Sequence, residues 1–398
     1  MKIPSTMPFF RENDIHEISE ELQKILRNGR LILGPYTREF ERNFREYCGV
    51  KHAVAVSSCT AALEIVLRYF DVKGKEVIVP TNTFVATSNA VVYSGGTPVL
   101  VDINPDTLCM DPRALIENIT PETKGVIIVH IAGIITPEIE EIKQICKDMN
   151  LFLIEDDAHA HGAMINGQKA GSLADAGCFS FYPTKVMTTC TGGMITTNDD
   201  GLADYAISLR HHGVGKDLEN IVNLGNDWLM DEISALLGIY QLKALEDNVK
   251  RRNEIARGYA EYLENIEQIE LFTAPPNIRY SYYKYPVVLS RNIDKKKLIG
   301  KMESEYGIHL GSAYDPPSHL QPAYQKVFGY KKGMFPKAEG ILKRVVCLPM
   351  FVQMTDEQIK YVLQSFEKVI SNILIEEGRV NDSKYPSTEL SAVAGIFL

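Results

Sequence analysis

The sequence contains no apolar run long enough to cross a bilayer; the best, Gly125 to Ile135, is interrupted by His130. It has no block of lysine and arginine. Its 42 basic and 51 acidic residues give a net charge of −9, and this acidic balance argues against general nucleic-acid or membrane-surface binding. There is no C-x-x-C pair. The seven cysteines (Cys48, Cys59, Cys109, Cys146, Cys178, Cys190 and Cys347) are an odd set, read as reduced thiols rather than as a disulfide or zinc framework. The one tryptophan, Trp228, is read as packing. No H-E-x-x-H, G-x-S-x-G or Walker A pattern is present, and no metal is expected. The opening stretch MKIPSTMPFFREND lacks an apolar signal core and a cleavage site, so the expectation is a cytoplasmic protein. Internal repeats and low-complexity linkers are also missing.

What is present is a globular composition: 45% hydrophobic and 23% charged over 398 residues. Short apolar runs alternate with helical patterns. Strands are expected at His52–Ser57, Glu76–Pro80, Pro98–Ile103, Val126–Ile131 and Leu151–Glu155, with two more at Gly177–Tyr182 and Gly193–Thr197. Helical periodicity falls at Ile15–Asn28, Thr60–Phe70, Phe84–Tyr93 and Glu138–Met149, and over a long stretch from Met230 to about Ile266. In the first of these, Ile15, Ile18, Leu22, Ile25 and Leu26 share a face, Asp14 is the expected cap and Gly29 the expected stop. Continuous Val/Ile/Leu runs suit strands buried on both faces, so the fold class is α/β with a mostly parallel central sheet flanked by helices. After Pro275 and Pro276 the order becomes strand (Tyr282–Leu289), helix (Lys295–Tyr306), strand (Val345–Leu348) and helix (Asp356–Ile373). The expected division is a large domain over residues 1–270, including the N-terminal helix and the long connecting helix, and a small C-terminal α+β domain over 271–398. The tail from Val380 has no assigned place.

Three segments carry chemistry. In Cys178-Phe-Ser-Phe-Tyr-Pro-Thr-Lys185 a lysine follows an apolar strand and precedes a glycine pair ending at Gly193. Desolvation there lowers an amine's pKa and frees it as a nucleophile; the plainer reading is a solvated surface lysine. In Leu151-Phe-Leu-Ile-Glu-Asp-Asp-Ala-His159 acids appear at the carboxyl end of a buried strand, where open α/β sheets bind ligands. The plainer reading is an Asp that caps a turn. In Val54-Ala-Val-Ser-Ser-Cys-Thr-Ala-Ala-Leu63 a strand runs into Ser58, Cys59 and Thr60 at a helix start, a cradle for phosphate or an ordinary N-cap at Ser57 or Ser58. Together, a phosphate cradle, a carboxylate for a ring nitrogen and a nucleophilic lysine are what pyridoxal 5'-phosphate requires. The Tyr280–Tyr285 cluster reads first as a half-buried strand, and His211-His212 as a helix C-terminal cap.

The order of these motifs resembles the DegT/DnrJ/EryC1/StrS family of sugar aminotransferases, of the aspartate aminotransferase-like fold (fold type I). The resemblance runs from about Leu33 to Val369 through Leu33-Gly-Pro, Pro80-Thr-Asn-Thr-Phe-Val-Ala, Ile154-Glu-Asp-Asp-Ala-His-Ala-His-Gly162, Phe179-Ser-Phe-Tyr-Pro-Thr-Lys185 and Leu348-Pro-Met350. It implies Lys185 as the Schiff-base lysine and Asp156 as the partner of the pyridine nitrogen. It places His159 near the cofactor's phenolic oxygen, Phe84 and Ala158 on the two ring faces, and Thr60, Cys59 and Ser180 at the phosphate. Tyr314 and His319 fall in the segment that approaches the sugar. A homodimer with shared sites is implied as well. The sequence departs from the family at three positions: Cys59 stands where Gly is frequent, Asp227 aligns with the Asn that a partner subunit offers the phosphate, and Leu229 aligns with an Arg.

The resemblance implies ping-pong transfer of an amino group from L-glutamate to a nucleotide-linked keto-deoxysugar. A small phosphorylated ketone remains an alternative acceptor. A deoxysugar dehydratase is disfavoured by Lys185, and a non-enzymatic regulator by the Lys185–Asp156 pair.

Overall fold

The structure, a computed structural model, describes residues 1–378; the tail from Val380 lies outside the described residues. Seven strands form the main sheet: β1 (His52–Val56), β2 (Glu76–Pro80), β3 (Thr97–Val101), β4 (Thr123–Val129), β5 (Phe152–Asp156), β6 (Ala176–Ser180) and β7 (Gly193–Thr197). Their order is β1-β7-β6-β5-β4-β2-β3. Neighbours from β6 to β3 are parallel, and β7 runs antiparallel to both β6 and β1. The parallel part follows from composition: Val77, Ile78, Val79, Val126, Ile127, Ile128 and Ile154 are fully buried, because helices cover both faces.

A second sheet, β8 (Ile269–Leu271), β9 (Tyr285–Leu289) and β10 (Val345–Leu348), is antiparallel in the order β8-β9-β10. Its apolar core holds Val287, Leu289, Met302 and Phe366, and also takes Ile3, Ile255 and Tyr259 from earlier in the chain. The 32-residue helix Glu232–Leu263 reaches this core through Ile255 and Tyr259, and through Leu245 and Val249 it reaches a further apolar cluster that holds Phe40, Phe44 and Phe179.

Several boundaries differ from the sequence reading. The first helix starts at Glu12, and Asp14 lies inside it, bonded to Arg11 at 2.7 Å rather than capping the helix. Gly29 does end it, with φ 70° and its N–H on the Ile25 carbonyl. Of the five apolar residues on its predicted face only Ile25 is buried; Ile15 and Leu26 are exposed. The strand expected to reach Ile131 stops at Val129, because the chain turns at Ala132 (φ 58°). All seven cysteines are free thiols, and Trp228 packs in the main core beneath Arg68. Among the described residues no helix is long and apolar enough to cross a membrane.

The helix Pro35–Cys48 begins at Gly34, which has no side chain to cap it. Glu232, fully buried at the start of the long helix, does so from a distance. Its carboxylate accepts the N–H groups of Gly34, Tyr36 and Thr37, each at 3.0 Å, and the Thr37 hydroxyl. A Cβ at Gly34 would collide with that carboxylate, so the Leu33-Gly-Pro motif has a packing reason.

Candidate active site

The carboxyl end of β5 sorts three consecutive acids by strand alternation. Glu155 and Asp157 face His130 on one side; Asp156 faces the opposite side. Glu155 accepts N–H groups from Gly171, Leu173 and Ala174 at 2.8 to 3.1 Å, so it anchors a loop. His130 Nδ1 accepts the Thr136 N–H at 3.0 Å, which leaves the ring's proton on Nε2, 3.1 Å from Glu155. Neither ring nitrogen then offers a lone pair to a metal, although the three side chains lie close enough to surround one.

Asp156 is the acid that faces the site. It is 5% exposed, accepts the Thr87 hydroxyl at 2.7 Å and the Ala158 N–H at 3.1 Å, and has no cationic side chain in ion-pair contact among the described residues. Burial pushes its pKa up, against those two hydrogen bonds and the charge of Lys185. A buried carboxylate without a counter-ion is costly unless a cation joins it.

Lys185 sits in the turn after β6, with its ammonium 4.7 Å from the centre of the Tyr283 ring. No hydrogen-bond acceptor holds the amine among the described residues. Burial lowers its pKa to about 8, opposed by the nearby Asp156, with Lys284 adding a smaller downward push. The plainer reading of a solvated lysine is therefore not what the structure shows.

Tyr283 continues the cluster. Its ring packs on that of His159 at 4.3 Å, and Tyr314 donates to or accepts from His159 Nε2 at 3.0 Å. His159 Nδ1 accepts the Ala132 N–H at 3.1 Å. Burial, with Lys185 and Lys284 nearby, holds His159 well below the usual histidine range, so the ring is neutral. With Nδ1 occupied as an acceptor, the ring's proton is on Nε2 and goes to the Tyr314 oxygen. Phe84 stands across from Tyr314, with ring centres 5.9 Å apart. These aromatic residues border a cavity of about 550 Å³ whose lining includes Phe84, Thr184, Tyr283, Lys284 and Tyr314.

The helix Cys59–Tyr69 supplies the third feature. Ser58 is its N-cap, with Oγ accepting the Ala61 N–H at 3.1 Å, so the plainer reading of that serine is correct. The N–H groups of Cys59 and Thr60 have no acceptor among the described residues and remain open at the positive end of the helix. The Cys59 thiol lies 3.9 Å from Asp156 Oδ1, which ties this helix end to the acid. Gly193, paired with Ser180 in the sheet, makes the close approach possible: a Cβ there would stand 2.6 Å from the Cys59 nitrogen.

Ser58, Cys59, Phe84, Asp156, Ala158, His159, Lys185 and Tyr314 are thus linked step by step through neighbouring contacts, with Thr60 next to Cys59 in the chain and Ser180 brought in by its pairing with Gly193. Two residues are not. His319 is fully buried, bonded through Nδ1 to Thr81 at 2.7 Å and through Nε2 to Glu339 at 3.2 Å; it positions the loop rather than facing the cavity. Asp227 is exposed and makes a backbone bridge to His211; its side chain has no contact with the cluster among the described residues, although the carbonyl of the next residue, Trp228, accepts the Ser57 N–H at 2.8 Å. The sequence reading missed Thr87, Tyr283 and Lys284. Tyr283 belongs to the tyrosine cluster read as a strand, but Tyr282 has φ 47°, so the strand starts only at Tyr285 and Tyr283 turns toward Lys185.

The three features fit pyridoxal phosphate on the structure's own terms. Among the described residues Asp156 has no cationic partner such as a protonated ring nitrogen would be, the N–H pair has no anion, and the Lys185 amine has no hydrogen-bond partner.

The sequence pattern of the DegT/DnrJ/EryC1/StrS aminotransferase family matches residues 12–367. The spore coat polysaccharide biosynthesis protein SpsC of Bacillus subtilis is 34% identical over 92% of this chain and 97% of its own length. The dTDP-3-amino-3,6-dideoxy-alpha-D-galactopyranose transaminase of Aneurinibacillus thermoaerophilus is 36% identical, covering 88% of this chain and 95% of its own. Among solved structures, the PMP form of the sugar aminotransferase Spr1654 of Streptococcus pneumoniae superposes with a TM-score of 0.88 at 30% identity, over 95% of this chain and all of that one.

Proposed function

This chain belongs to the DegT/DnrJ/EryC1/StrS aminotransferase family and is a pyridoxal-phosphate-dependent aminotransferase of fold type I; from that premise, we propose that it moves the amino group of L-glutamate to the keto carbon of a nucleotide-linked keto-deoxysugar. The observation that carries this reading is the nearness of Lys185, an amine with no hydrogen-bond acceptor among the described residues, to Asp156, a buried carboxylate with no counter-ion among them; Lys185 meets the cavity through the ring of Tyr283, which lines it. The dTDP-sugar transaminase among the relatives supports a nucleotide-linked acceptor.

When bound, pyridoxal phosphate supplies an aldehyde to capture the donor amine and an electron-poor ring to accept the electron pair of the reacting carbon. The rest is assigned to this chain. Lys185 Nζ, with its pKa near 8, holds the cofactor covalently at rest. When freed, it takes the proton from the donor's amine-bearing carbon. In the second half it returns a proton to the carbon of the sugar that was the ketone. Asp156 keeps the ring nitrogen protonated, and Thr87 and the Ala158 N–H fix the carboxylate's orientation. The Cys59 and Thr60 N–H groups and the Ser58 and Ser180 hydroxyls bind phosphate. Neutral His159 donates from Nε2 to Tyr314 and so locks both rings. Phe84 and Ala158 would flank the cofactor ring, with the Tyr314 ring across from Phe84.

A homodimer completes this proposal. Leu218, Ile221, Val222 and Leu224, each at least 60% exposed, lie in the loop that leads to Asp227 and offer an apolar surface to a second copy. A second domain is supported by the separate core around β8–β10, which also takes Ile3 and residues from Ile255 onward, so its edge falls earlier in the chain than residue 270. Seven free thiols are consistent with the cytoplasm.

The test is to convert the loaded enzyme to its amine form with L-glutamate, remove the donor, and add candidate ketones. Return of the aldehyde absorbance with keto sugar nucleotides, and not with simple keto phosphates, supports the proposal; the reverse selectivity refutes it.

A further inference from the structure

Lys284 is a cation lining the cavity, with no anion beside it among the described residues. It directly follows Tyr283 and precedes β9, and its ammonium donates to the Ser312 carbonyl. It stands 5.5 Å from the centre of the Tyr283 ring and 5.0 Å from that of Tyr314, so its surroundings are aromatic faces rather than acids. Asp315, the one acid lining the cavity among the described residues, is already taken by Lys295 at 2.8 Å. No carboxylate pairs with Lys284 among the described residues. An ammonium has three donors, and the Ser312 carbonyl satisfies one of them.

Lys185 and Lys284 share a reference point: their ammonium groups lie 4.7 and 5.5 Å from the centre of the same Tyr283 ring. The two ammonium groups therefore lie no more than about 10 Å apart, within the span of one small molecule that reacts at Lys185 and carries an anion to Lys284. A dicarboxylic amino acid meets that requirement with either carboxylate. We propose that Lys284 binds a carboxylate of the amino donor, and that its charge gives the site its preference for an acidic amino acid. This rests on the reading of the cavity as the transamination site. In a ping-pong reaction the same space next receives a sugar, and the flexible ammonium then donates to hydroxyl groups, a role that needs its protons but not its charge.

The test uses the cofactor-loaded enzyme and the unreactive dicarboxylate glutarate, titrated by calorimetry, with dTDP, GDP and UDP as the contrasting anions. Lys284→Gln, which keeps donors and removes the charge, should weaken glutarate by about tenfold or more and leave nucleoside diphosphate affinity within about twofold. Lys284→Arg should retain most of the glutarate affinity, which also shows that the fold tolerates change at this position. In single-turnover absorbance measurements the half-saturating L-glutamate concentration should rise by the same factor in Lys284→Gln, with the maximal rate nearly unchanged. Glutarate affinity that is equal in wild type and Lys284→Gln overturns the inference. So does a loss confined to, or larger for, the nucleoside diphosphates, because the charge then serves the acceptor's phosphates. If the wild type turns over L-glutamate while glutarate binding ignores Lys284, only this inference fails. If no amino donor is turned over, the transaminase reading itself fails.

Discussion

The phenol oxygen of Tyr314 lies 3.0 Å from Nε2 of His159, whose other nitrogen accepts the backbone N–H of Ala132. The two contacts fix one tautomer. Nitrogen-15 shifts of the histidine rings should therefore show His159 neutral, with its proton on Nε2, from about pH 8 down to about pH 5, where an ordinary histidine is cationic. Tyr314→Phe removes the acceptor and leaves a buried N–H unpaired, at a cost of about 1 to 3 kcal/mol in unfolding free energy. Titration of His159 near pH 6.5 would contradict the assignment.

Asp156→Asn keeps the shape of the side chain and removes the charge that holds a ring nitrogen protonated. The variant should still bind pyridoxal phosphate, seen by absorbance, while steady-state transamination falls by at least about a hundredfold. Asp157→Asn, just past the end of β5 and facing His130 on the opposite side, should leave the rate within about tenfold of wild type. Equal losses in both variants would remove the special role of Asp156.

Gly193→Ala tests the phosphate cradle. The added Cβ meets the Ser58 carbonyl and the Cys59 nitrogen, both backbone, so the helix start must shift. Cofactor affinity by fluorescence titration should fall by about tenfold or more, the effect of displacing two N–H donors. Gly300→Ala, which meets nothing within 4 Å, is the matched control and should leave affinity unchanged.

Glu232→Ala tests the remote cap. It leaves the buried N–H groups of Gly34 and Thr37, the half-buried N–H of Tyr36 and the Thr37 hydroxyl without their acceptor, at the start of the helix Pro35–Cys48. Urea unfolding should show a loss of about 3 kcal/mol, and Glu232→Gln, which retains an acceptor oxygen, a smaller one.

The sequence was most informative where burial is two-sided or a motif is local. Glu76–Pro80, Gly193–Thr197, Val345–Leu348 and Lys295–Tyr306 occur with the boundaries that their patterns predict, and Gly29 ends its helix as expected. Long-range partners were hidden. Nothing near His319 announces Glu339, which accepts its Nε2, and nothing near Gly34 announces Glu232, 198 residues away. Tyr283 was misread because a left-handed residue, Tyr282, breaks a strand whose composition is otherwise uninterrupted. Asp14 looked like a cap because its type suits one, but the adjacent Arg11 guanidinium competes for it. Lys284 carries no motif; only the cavity shows that it lacks an anion.

The central claim is that the amine of Lys185 is the covalent anchor for the cofactor. Borohydride reduction of the enzyme with pyridoxal phosphate, followed by digestion and mass spectrometry, tests it directly. The account predicts a phosphopyridoxyl group on the peptide containing Lys185, absent in Lys185→Ala, with the rate of capture by the cofactor-free enzyme rising through about pH 8 rather than toward the ordinary lysine value of 10.5. An unmodified Lys185 peptide, with the label elsewhere or nowhere, would contradict it.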